Sequence, residues 1–253
     1  MISIVIITKN EGHIIEKTLK AAAAISDDIV IVDSGSSDET VRICKQYQCQ
    51  VIETTWDGYG PNKNKGIAAA KYDWILSLDA DEVPDEALIQ SLRNLELTNG
   101  YIAYTLKFSN YFCEKKIRFG VWGSDYHVRL FNKKNVEWNN DEVHESLQFP
   151  QQIKIVRVKG AVLHYTVNSV EDYIEKTTRY AKSSALKYYS KGKKASFVKL
   201  YISPVFTFLK HYIFRLGFLD GWEGFIICKT FAWYTFLKYS LLHELHAKAN
   251  SNS

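Results

Sequence analysis

Two aspartates separated by a single residue are the strongest chemical feature of the chain. Asp79 and Asp81 directly follow an apolar run, residues 74–78, that is typical of a buried strand. Carboxylates at a strand end can hold a hard divalent cation, which keeps some of its waters and binds phosphate oxygens. The alternative is structural, because acidic residues also favour a first helical turn, and Asp85 is placed to begin a helix. We predict a metal site here.

Polar side chains also follow the first two apolar runs of the sequence. After the second run, a carboxylate can accept hydrogen bonds from a base or from ribose hydroxyls, and a glycine permits a tight turn. The following helix would then direct its amides inward. Ordinary capping turns are the alternative for both segments. The predicted nucleotide-binding residues in them are Thr8, Asn10, Glu11, Asp33, Ser34 and Gly35.

A glycine- and lysine-rich segment, residues 58–66, precedes the strand that carries Asp79. Backbone without side chains can approach a diphosphate closely, and lysine supplies a point charge. The segment has neither GxxxxGK[ST] nor GxGxxG spacing, so it does not indicate a P-loop or a dinucleotide site. We predict a loop in which Lys63 contacts the diphosphate, with a solvated loop as the alternative.

The remaining chemical candidates lie in the second third of the chain. Sugar transfer to a hydroxyl needs a base for the acceptor proton, and residues 141–145 offer three carboxylates around one histidine. We predict Glu145 or Asp141 as the base, with Glu142 left open and His144 as a metal ligand. His164 follows an apolar run, where a histidine is more often a core residue, but we include it as a metal ligand.

The surrounding pattern predicts an α/β fold. Apolar runs at residues 2–7, 29–32, 51–52 and 74–78 alternate with helical spacing at 14–22, 38–47, 62–71 and 85–97. Strands separated by helices of this length form a mostly parallel sheet with helices on both faces. Ligands bind such sheets beyond the carboxyl ends of the strands. The polar clusters described above fall at those ends.

The pattern changes after residue 100. Residues 102–108, 125–131 and 153–158 are extended and aromatic-rich, and the chain is predicted to be helical from residue 169. We predict a catalytic domain over residues 1–168, made of a nucleotide-sugar-binding half (1–100) and an acceptor-side extension (101–168). Residues 169–253 form a C-terminal helical, membrane-proximal region.

Charge is distributed unevenly along the chain. Residues 171–253 hold 13 Lys and Arg against 6 Asp and Glu, whereas residues 1–170 hold 19 against 22. Nucleic acid and an anionic membrane are both candidate partners for a basic, aromatic tail. The longest charge-free stretch, 200–209, is too short to span a bilayer and contains a proline. We therefore predict amphipathic helices at a membrane surface, with packing on the catalytic domain as the alternative.

The cysteines and the N-terminus bear on the compartment. The four cysteines form no CxxC pair, so they indicate neither a zinc site nor a disulfide framework. The first apolar run has no basic segment before it, unlike a signal peptide. We expect a cytoplasmic protein that is peripheral on the inner face of the cytoplasmic membrane.

Taken together, these motifs resemble the family 2 glycosyltransferases with a GT-A (Rossmann-like) fold. The matching segments over residues 1–100 are 8–11, 33–40, 60–66 and 79–81, and further segments at 129–131, 143–145, 164–166, 179–181 and 217–221 resemble lipopolysaccharide inner-core heptose β-glucosyltransferases. The resemblance implies an inverting hexosyltransferase that requires Mg²⁺ or Mn²⁺ and uses a nucleotide sugar as donor. UDP-glucose is the expected donor. It also implies that Asp33 meets the uracil, Asp79 the ribose or the metal, and Asp81 the metal.

Several functions remain open at this point. The acceptor is expected to be a lipopolysaccharide inner-core heptose or a similar lipid-linked saccharide, with polyprenyl phosphate or a capsular glycan as alternatives. No nucleic-acid partner is expected. A sugar nucleotidyltransferase is a second enzyme class, but it predicts a glycine- and arginine-rich loop after the first strand that this chain lacks. A non-catalytic membrane-binding module is the third reading.

Overall fold

The computed structural model describes residues 1–123, 125–139 and 146–251 and divides into two compact units. Unit 1 comprises Met1–Phe108 and Asp125–His164, and unit 2 comprises Ser109–Ser124 and Tyr165–Ser253. The functional division predicted at residues 168 and 169 stays a prediction.

Unit 1 begins with a parallel βα arrangement. Its elements are β1 (Ile2–Thr8), α1 (Ile15–Ala23), β2 (Asp28–Asp33), α2 (Thr40–Gln46), β3 (Gln50–Glu53), α3 (Tyr59–Ala69) and β4 (Trp74–Asp79). The strands lie in the order β3-β2-β1-β4, and each neighbouring pair is parallel. The chain therefore builds outward from β1 on one side and then crosses to its other side. The four predicted strands are confirmed.

An antiparallel extension continues the sheet beyond β4. It contains β5 (Glu82–Pro84), α4 (Glu86–Arg93), β6 (Ile102–Phe112), β8 (Asp125–Asn132) and β11 (Lys154–Val167). The order runs β4-β8-β6-β11-β5, with β8 antiparallel to β4 and to β6. Three two-residue strands complete the described set: β7 (Lys115–Lys116), β9 (Glu137–Trp138) and β10 (Leu147–Gln148). The predicted α/β class, a sheet with parallel strands flanked by helices, is confirmed.

Strands β1, β2 and β4 are buried on both faces, which explains why their sequences are continuous apolar runs. Alternate residues of β1 point to opposite sides. Ile4 and Ile6 join one core with α1 and α4, and Val5 joins the other with α3.

The glycine-rich segment is helical from Tyr59 onward, so the loop predicted over residues 58–66 is wrong, whereas the helix predicted over 62–71 is confirmed as part of α3. Helix α3 begins directly after Gly58, whose φ of +107° suits glycine. At Gly66 a Cβ atom would lie 2.4 Å from Val5 Cγ1 and 2.9 Å from Val32 Cγ2. The glycines therefore allow a helix to pack closely on the sheet. The sequence pattern of glycine and lysine does not distinguish this use from an open loop.

Two further boundaries differ from expectation. The helix expected over 85–97 ends at Arg93, although Asp85 does cap it by accepting a hydrogen bond from the Leu88 amide at 2.8 Å. The strand expected over 153–158 is longer in the structure, where β11 runs from Lys154 to Val167 and pairs with β5 at residues 162–164, so His164 lies within a strand.

Unit 2 is largely helical, as predicted. It contains α5 (Val170–Ser190), a π-helical turn at Val198–Ile202, α6 (Ser203–Leu209), a second π-helical turn at Lys210–Phe214, a 3₁₀ turn at Gly217–Asp220 and α7 (Gly221–Ser251). The Asp220 carboxylate accepts hydrogen bonds from the Arg118 and Phe119 amides at 3.0 and 2.8 Å. Across the described part of the chain, no helix combines the length and apolar character that crossing a membrane requires.

Candidate functional site

The sheet register brings the polar strand ends together. Thr8 pairs with Asp33 across β1 and β2, and Ile7 pairs with Asp79 across β1 and β4. Because the strand order reverses beside β1, its carboxyl end lies at the switch point where parallel sheets bind ligands. The three predicted polar clusters are thus at one edge of unit 1.

The turns after β1 and β2 are tied to each other. Asn10, in the left-handed conformation at φ +55°, donates its amide to Ser36 Oγ and accepts at Oδ1 from the Ser37 amide, both at 2.8 Å. The Glu11 amide donates to Thr40 Oγ1 at 2.9 Å. Thr8 is buried at the end of β1, whereas Asn10 is exposed. Thr40 is a supporting residue that the sequence analysis did not single out.

Asp33 supports the turn that follows it. Its Oδ2 accepts from the amides of Gly35 and Ser36 at 3.0 and 2.8 Å, and the residue is buried. Ser34 is fixed in turn by Asn62 of α3, whose side-chain amide donates to Ser34 Oγ at 3.0 Å. The turn is therefore preorganised by buried hydrogen bonds, and its predicted contact with a nucleotide stays a prediction.

Asp79 lies between two cations. Its Oδ1 is 3.2 Å from Nζ of Lys63, which is fully buried in α3, and its Oδ2 is 3.6 Å from a guanidinium nitrogen of Arg129. Burial alone would raise the pKa of Asp79, but the charges of Lys63 and Arg129 oppose it and lower the pKa to about 2. Asp79 is thus a carboxylate at neutral pH. Lys63 also lies 4.5 Å from the ring centroid of Trp138.

Arg129 and Glu82 complete this network, and the sequence analysis assigned neither of them a role at the site. Arg129 pairs with Glu82 Oε1 at 2.6 Å, and Glu82 Oε2 accepts from the Asp79 amide at 3.0 Å. Burial, the main influence, raises the pKa of Glu82, while Arg129 opposes that rise. Glu82 and Arg129 are 47 residues apart in sequence, and only the folded chain brings their side chains together, so the sequence pattern gave no signal of this pairing.

Asp81 and His164 form a second, more open pair. His164 Nε2 lies 3.5 Å from Asp81 Oδ2, and both side chains are partly exposed. Burial lowers the pKa of His164, but the hydrogen bond and charge of Asp81, followed by the charges of Glu82 and Asp79, outweigh it and raise the pKa. Ala80, between the two aspartates, is held by a 2.6 Å hydrogen bond from Thr18 Oγ1 to its carbonyl. The structure therefore brings Asp79, Asp81 and His164 together.

These residues suit a metal ion that takes few ligands from the protein and most from phosphate oxygens and water. No cluster of three or more His, Cys, Asp or Glu able to hold a metal occurs in residues 1–123, 125–139 and 146–251. Both oxygens of Asp79 face cations, so Asp81 is the carboxylate better placed for coordination. A hard cation bound by one or two carboxylates, with phosphate oxygens and waters as its other ligands, fits this arrangement.

The predicted base and one predicted metal ligand lie outside the described residues: Asp141, Glu142, His144 and Glu145. The residues on either side of them are placed. The Asn139 amide donates to the Ser146 carbonyl at 2.9 Å, and Trp138 pairs with Leu147. The Trp138 carbonyl accepts from the Asn64 side chain of α3 at 2.9 Å. Both flanks of the acidic segment are thus anchored beside the helix that carries Lys63.

Gly60 is a further residue that the sequence analysis placed in the loop, and its role is packing. A Cβ atom there would lie 2.1 Å from the Asn139 carbonyl oxygen. Only glycine at this position lets the Asn139 backbone approach α3 so closely.

Comparison with known proteins gives one family. The profile described as "Glycosyl transferase family 2" matches residues 3–155. An uncharacterized glycosyltransferase of Rickettsia prowazekii is 31% identical over 99% of this chain and 89% of that protein. The lipopolysaccharide core biosynthesis glycosyltransferase LpsC of Rhizobium meliloti is 28% identical over 99% of this chain and 95% of that protein.

Among solved structures the likeness is weaker. Glucosyl-3-phosphoglycerate synthase from Mycobacterium tuberculosis, crystallised with Mn²⁺, UDP and glucosyl-3-phosphoglycerate, aligns with a TM-score of 0.35 at 22% identity. The alignment covers 44% of this chain and 43% of that one. The family assignment rests on the sequence matches.

Proposed function

This chain belongs to glycosyl transferase family 2, and we propose that it transfers a hexose to a lipid-linked saccharide. Glucose is the proposed hexose and UDP-glucose the proposed donor. A heptose of the lipopolysaccharide inner core is the proposed acceptor. The relative named for lipopolysaccharide core biosynthesis supports this choice, since its match extends along nearly the whole of both chains. Polyprenyl phosphate and a capsular glycan are the alternative acceptors.

One observation carries the proposal: Asp79 ends a parallel strand at the switch point and is held ionised by Lys63 and Arg129. Asp81 follows it two residues later. A bound diphosphate needs positive charge around it. Asp79, held by ion pairs, and the more exposed Asp81 together can position a divalent cation beside the diphosphate. Lys63 and Arg129 hold Asp79 in place, which leaves Asp81 to face the ion. His164 orients Asp81 through their 3.5 Å contact.

Mg²⁺ or Mn²⁺ is the proposed ion, with Asp81 as its principal protein ligand, assisted by Asp79. His144 and His164 are the proposed additional ligands. When bound, such an ion neutralises the negative charge that grows on a departing diphosphate. The turns at 8–11 and 33–36 are proposed to hold the nucleoside, through Thr8, Asn10, Glu11, Asp33, Ser34 and Gly35.

The acceptor hydroxyl must lose a proton as it attacks the anomeric carbon. We propose Glu145 or Asp141 for this step, with Glu142 as the remaining candidate. A single base on the face opposite the leaving diphosphate gives inversion at the anomeric carbon, by the same geometry that governs inverting hydrolysis.

We propose that the reaction takes place at the inner face of the cytoplasmic membrane. A lipid-linked acceptor requires that surface, and the basic residues of 171–253 suit anionic headgroups. The four cysteines are free thiols, which fits a reducing compartment.

The test measures UDP release from UDP-glucose with Mn²⁺ and purified lipid A–core acceptor. Asp81→Asn should lower kcat by about 100-fold or more, because a metal contributes several kcal/mol of charge stabilisation. Asp73→Asn is the matched control, since Asp73 precedes the amino end of β4 and its carboxylate, 45% exposed, pairs with Lys134 at 2.6 Å. Normal turnover by Asp81→Asn would refute the proposal. Product masses from a series of UDP-sugars would identify the donor.

A further inference from the structure

Residues 191–219 of unit 2 have an unusual charge composition. This stretch contains no Asp or Glu and six Lys or Arg, namely Lys191, Lys193, Lys194, Lys199, Lys210 and Arg215. The basic residues lie toward its two ends, and the middle, 200–209, is uncharged. A segment of this kind suits a partner with dispersed negative charge and an apolar interior.

The middle of the segment turns apolar side chains outward. Six of them form what we call the apolar face: Val198, Tyr201, Ile202, Val205, Phe206 and Leu209, all exposed. Their spacing of three and four residues places them on one side of the helical segment. Phe206, for example, is 60% exposed. Single exposed apolar residues are common on soluble proteins, but a continuous row of them marks a binding surface.

The same segment also packs against α7. An apolar groove of about 370 Å³ lies between them, and it is lined by Tyr201 and Val205 of the apolar face as well as by Pro204, Phe208, Trp233 and Phe236. Lys229 also lines this groove, with its Nζ 5.8 Å from the Phe208 ring centroid. Tyr201 and Val205 therefore connect the apolar face with this groove, and both residues remain exposed although the segment packs against α7.

Large aromatic side chains extend the exposed surface beyond α6. Phe214 and Trp222 are 76% and 69% exposed. Rings of this size favour the boundary between water and lipid, where an apolar body and a polar edge are both accommodated.

We propose that the apolar face is a membrane-docking surface that lies in the headgroup region of an anionic phospholipid layer. This surface rests on the proposed function, since it would contact the membrane that contains the lipid-linked acceptor. A second copy of the chain suits this surface less well. In a two-fold dimer the same patch meets itself, and the positive charge of residues 191–219 would then be repelled by its own copy.

The experiment measures sedimentation of the full chain with vesicles of phosphatidylcholine, with and without phosphatidylglycerol. We expect binding only to the vesicles that contain phosphatidylglycerol. Raising the salt from about 0.1 M to about 1 M should weaken it, as the screening length falls from about 10 Å to about 3 Å. Binding that is equal for both vesicle types would overturn the role of anionic lipid, and no binding to either would overturn the proposal.

Two pairs of substitutions separate the apolar and electrostatic parts. Val205→Ser with Phe206→Ser should weaken vesicle binding by about 30-fold, because two exposed apolar side chains no longer enter the lipid. Ile155→Ser with Tyr101→Ser is the control, as both residues are exposed apolar residues of unit 1. An equal loss in the control pair, with unchanged circular dichroism, would contradict the assignment.

For the charges, Lys194→Gln with Lys210→Gln should weaken binding by about 25-fold, at about fivefold for each basic residue near the surface. Lys154→Gln with Lys159→Gln in unit 1 should leave it unchanged. If wild type is a dimer in sedimentation velocity and the Val205/Phe206 pair makes it monomeric, the face is a self-association surface and the proposal fails.

Sugar transfer to detergent-dispersed acceptor is measured in parallel. Vesicle binding without any transfer by wild type would refute the proposed function and leave the docking surface intact. Transfer without vesicle binding would refute the docking surface alone.

Discussion

Replacing Arg129 with Met removes a guanidinium that pairs with two carboxylates, and we expect it to destabilise the protein in a pH-dependent way. Arg129 lies 2.6 Å from Glu82 and 3.6 Å from Asp79. Glu82 is 1% exposed and Arg129 11% exposed, so water screens this pair little. Asp79 keeps Lys63 as a partner, whereas Glu82 is left as a buried carboxylate without its cation.

The magnitude follows from the proton that Glu82 can take up. Breaking a buried ion pair from one side costs about 3–5 kcal/mol. Glu82 can escape part of that cost by becoming neutral, and protonating an ordinary glutamate at about pH 7 costs about 3.7 kcal/mol. This sets the ceiling on the Glu82 contribution. At about pH 5 the same ceiling is about 1 kcal/mol. We therefore expect a loss of about 3 kcal/mol at neutral pH and about 1 kcal/mol at pH 5.

The direction follows from proton linkage. Burial raises the pKa of Glu82 in the folded protein above its ordinary value, and losing Arg129 raises it further. Between the ordinary and the folded pKa, the folded state holds a proton that the unfolded state has released. Stability must then fall as the pH rises through that window. The variant should therefore be closest to wild type in mild acid.

Urea unfolding followed by circular dichroism at the two pH values measures these losses. Adding Glu82→Gln to Arg129→Met should restore most of the stability at neutral pH, since no buried charge remains. Arg42→Met, which removes an arginine from the exposed pair with Glu39, is the control and should change stability little. An Arg129→Met loss of the same size at both pH values, or no recovery in the double variant, would refute the reasoning.

Three further predictions concern other parts of unit 1. Gly66→Ala should destabilise the protein by about 2 kcal/mol in urea unfolding, because the added methyl would lie 2.4 Å from Val5 Cγ1; stability equal to wild type would show that α3 can move away at no cost. Cys44, whose pKa burial raises to about 12, should escape alkylation by iodoacetamide at about pH 8 unless urea is added, as peptide mass spectrometry would reveal. Thr18→Val should cost about 1 kcal/mol by removing the hydrogen bond to the Ala80 carbonyl, with an unchanged unfolding midpoint as the contrary result.

Much of the parallel half of the sheet was predictable from local pattern. The runs at 2–7, 29–32 and 74–78 are apolar because both faces of those strands are covered, and their spacing leaves room for one helix between strands. The polar residues that end each run fall at one edge, since parallel strands share the direction of their carboxyl ends. The family resemblance gave the same arrangement and is confirmed by the profile match over residues 3–155.

Where a residue's role depends on what packs against it, the pattern was insufficient. The glycines at 58, 60 and 66 favoured a loop, in conflict with the helical spacing over 62–71. In the structure Gly66 packs directly against Val5 and Val32, and Gly60 packs against the Asn139 backbone. Glycine has the same identity in both settings, so only the neighbours distinguish them.

The sequence by itself determined which residues end or closely follow the parallel strands, among them Asp33, Asp79 and Asp81, because the apolar runs that form those strands are local patterns. The tertiary structure alone decided their partners. Lys63, Arg129 and His164 come from a helix and two strands that the sheet order brings to the same edge. Ion pairs act over a few ångströms in space, between residues that can be far apart in the sequence. The network around Asp79 therefore forms only when the sheet is assembled.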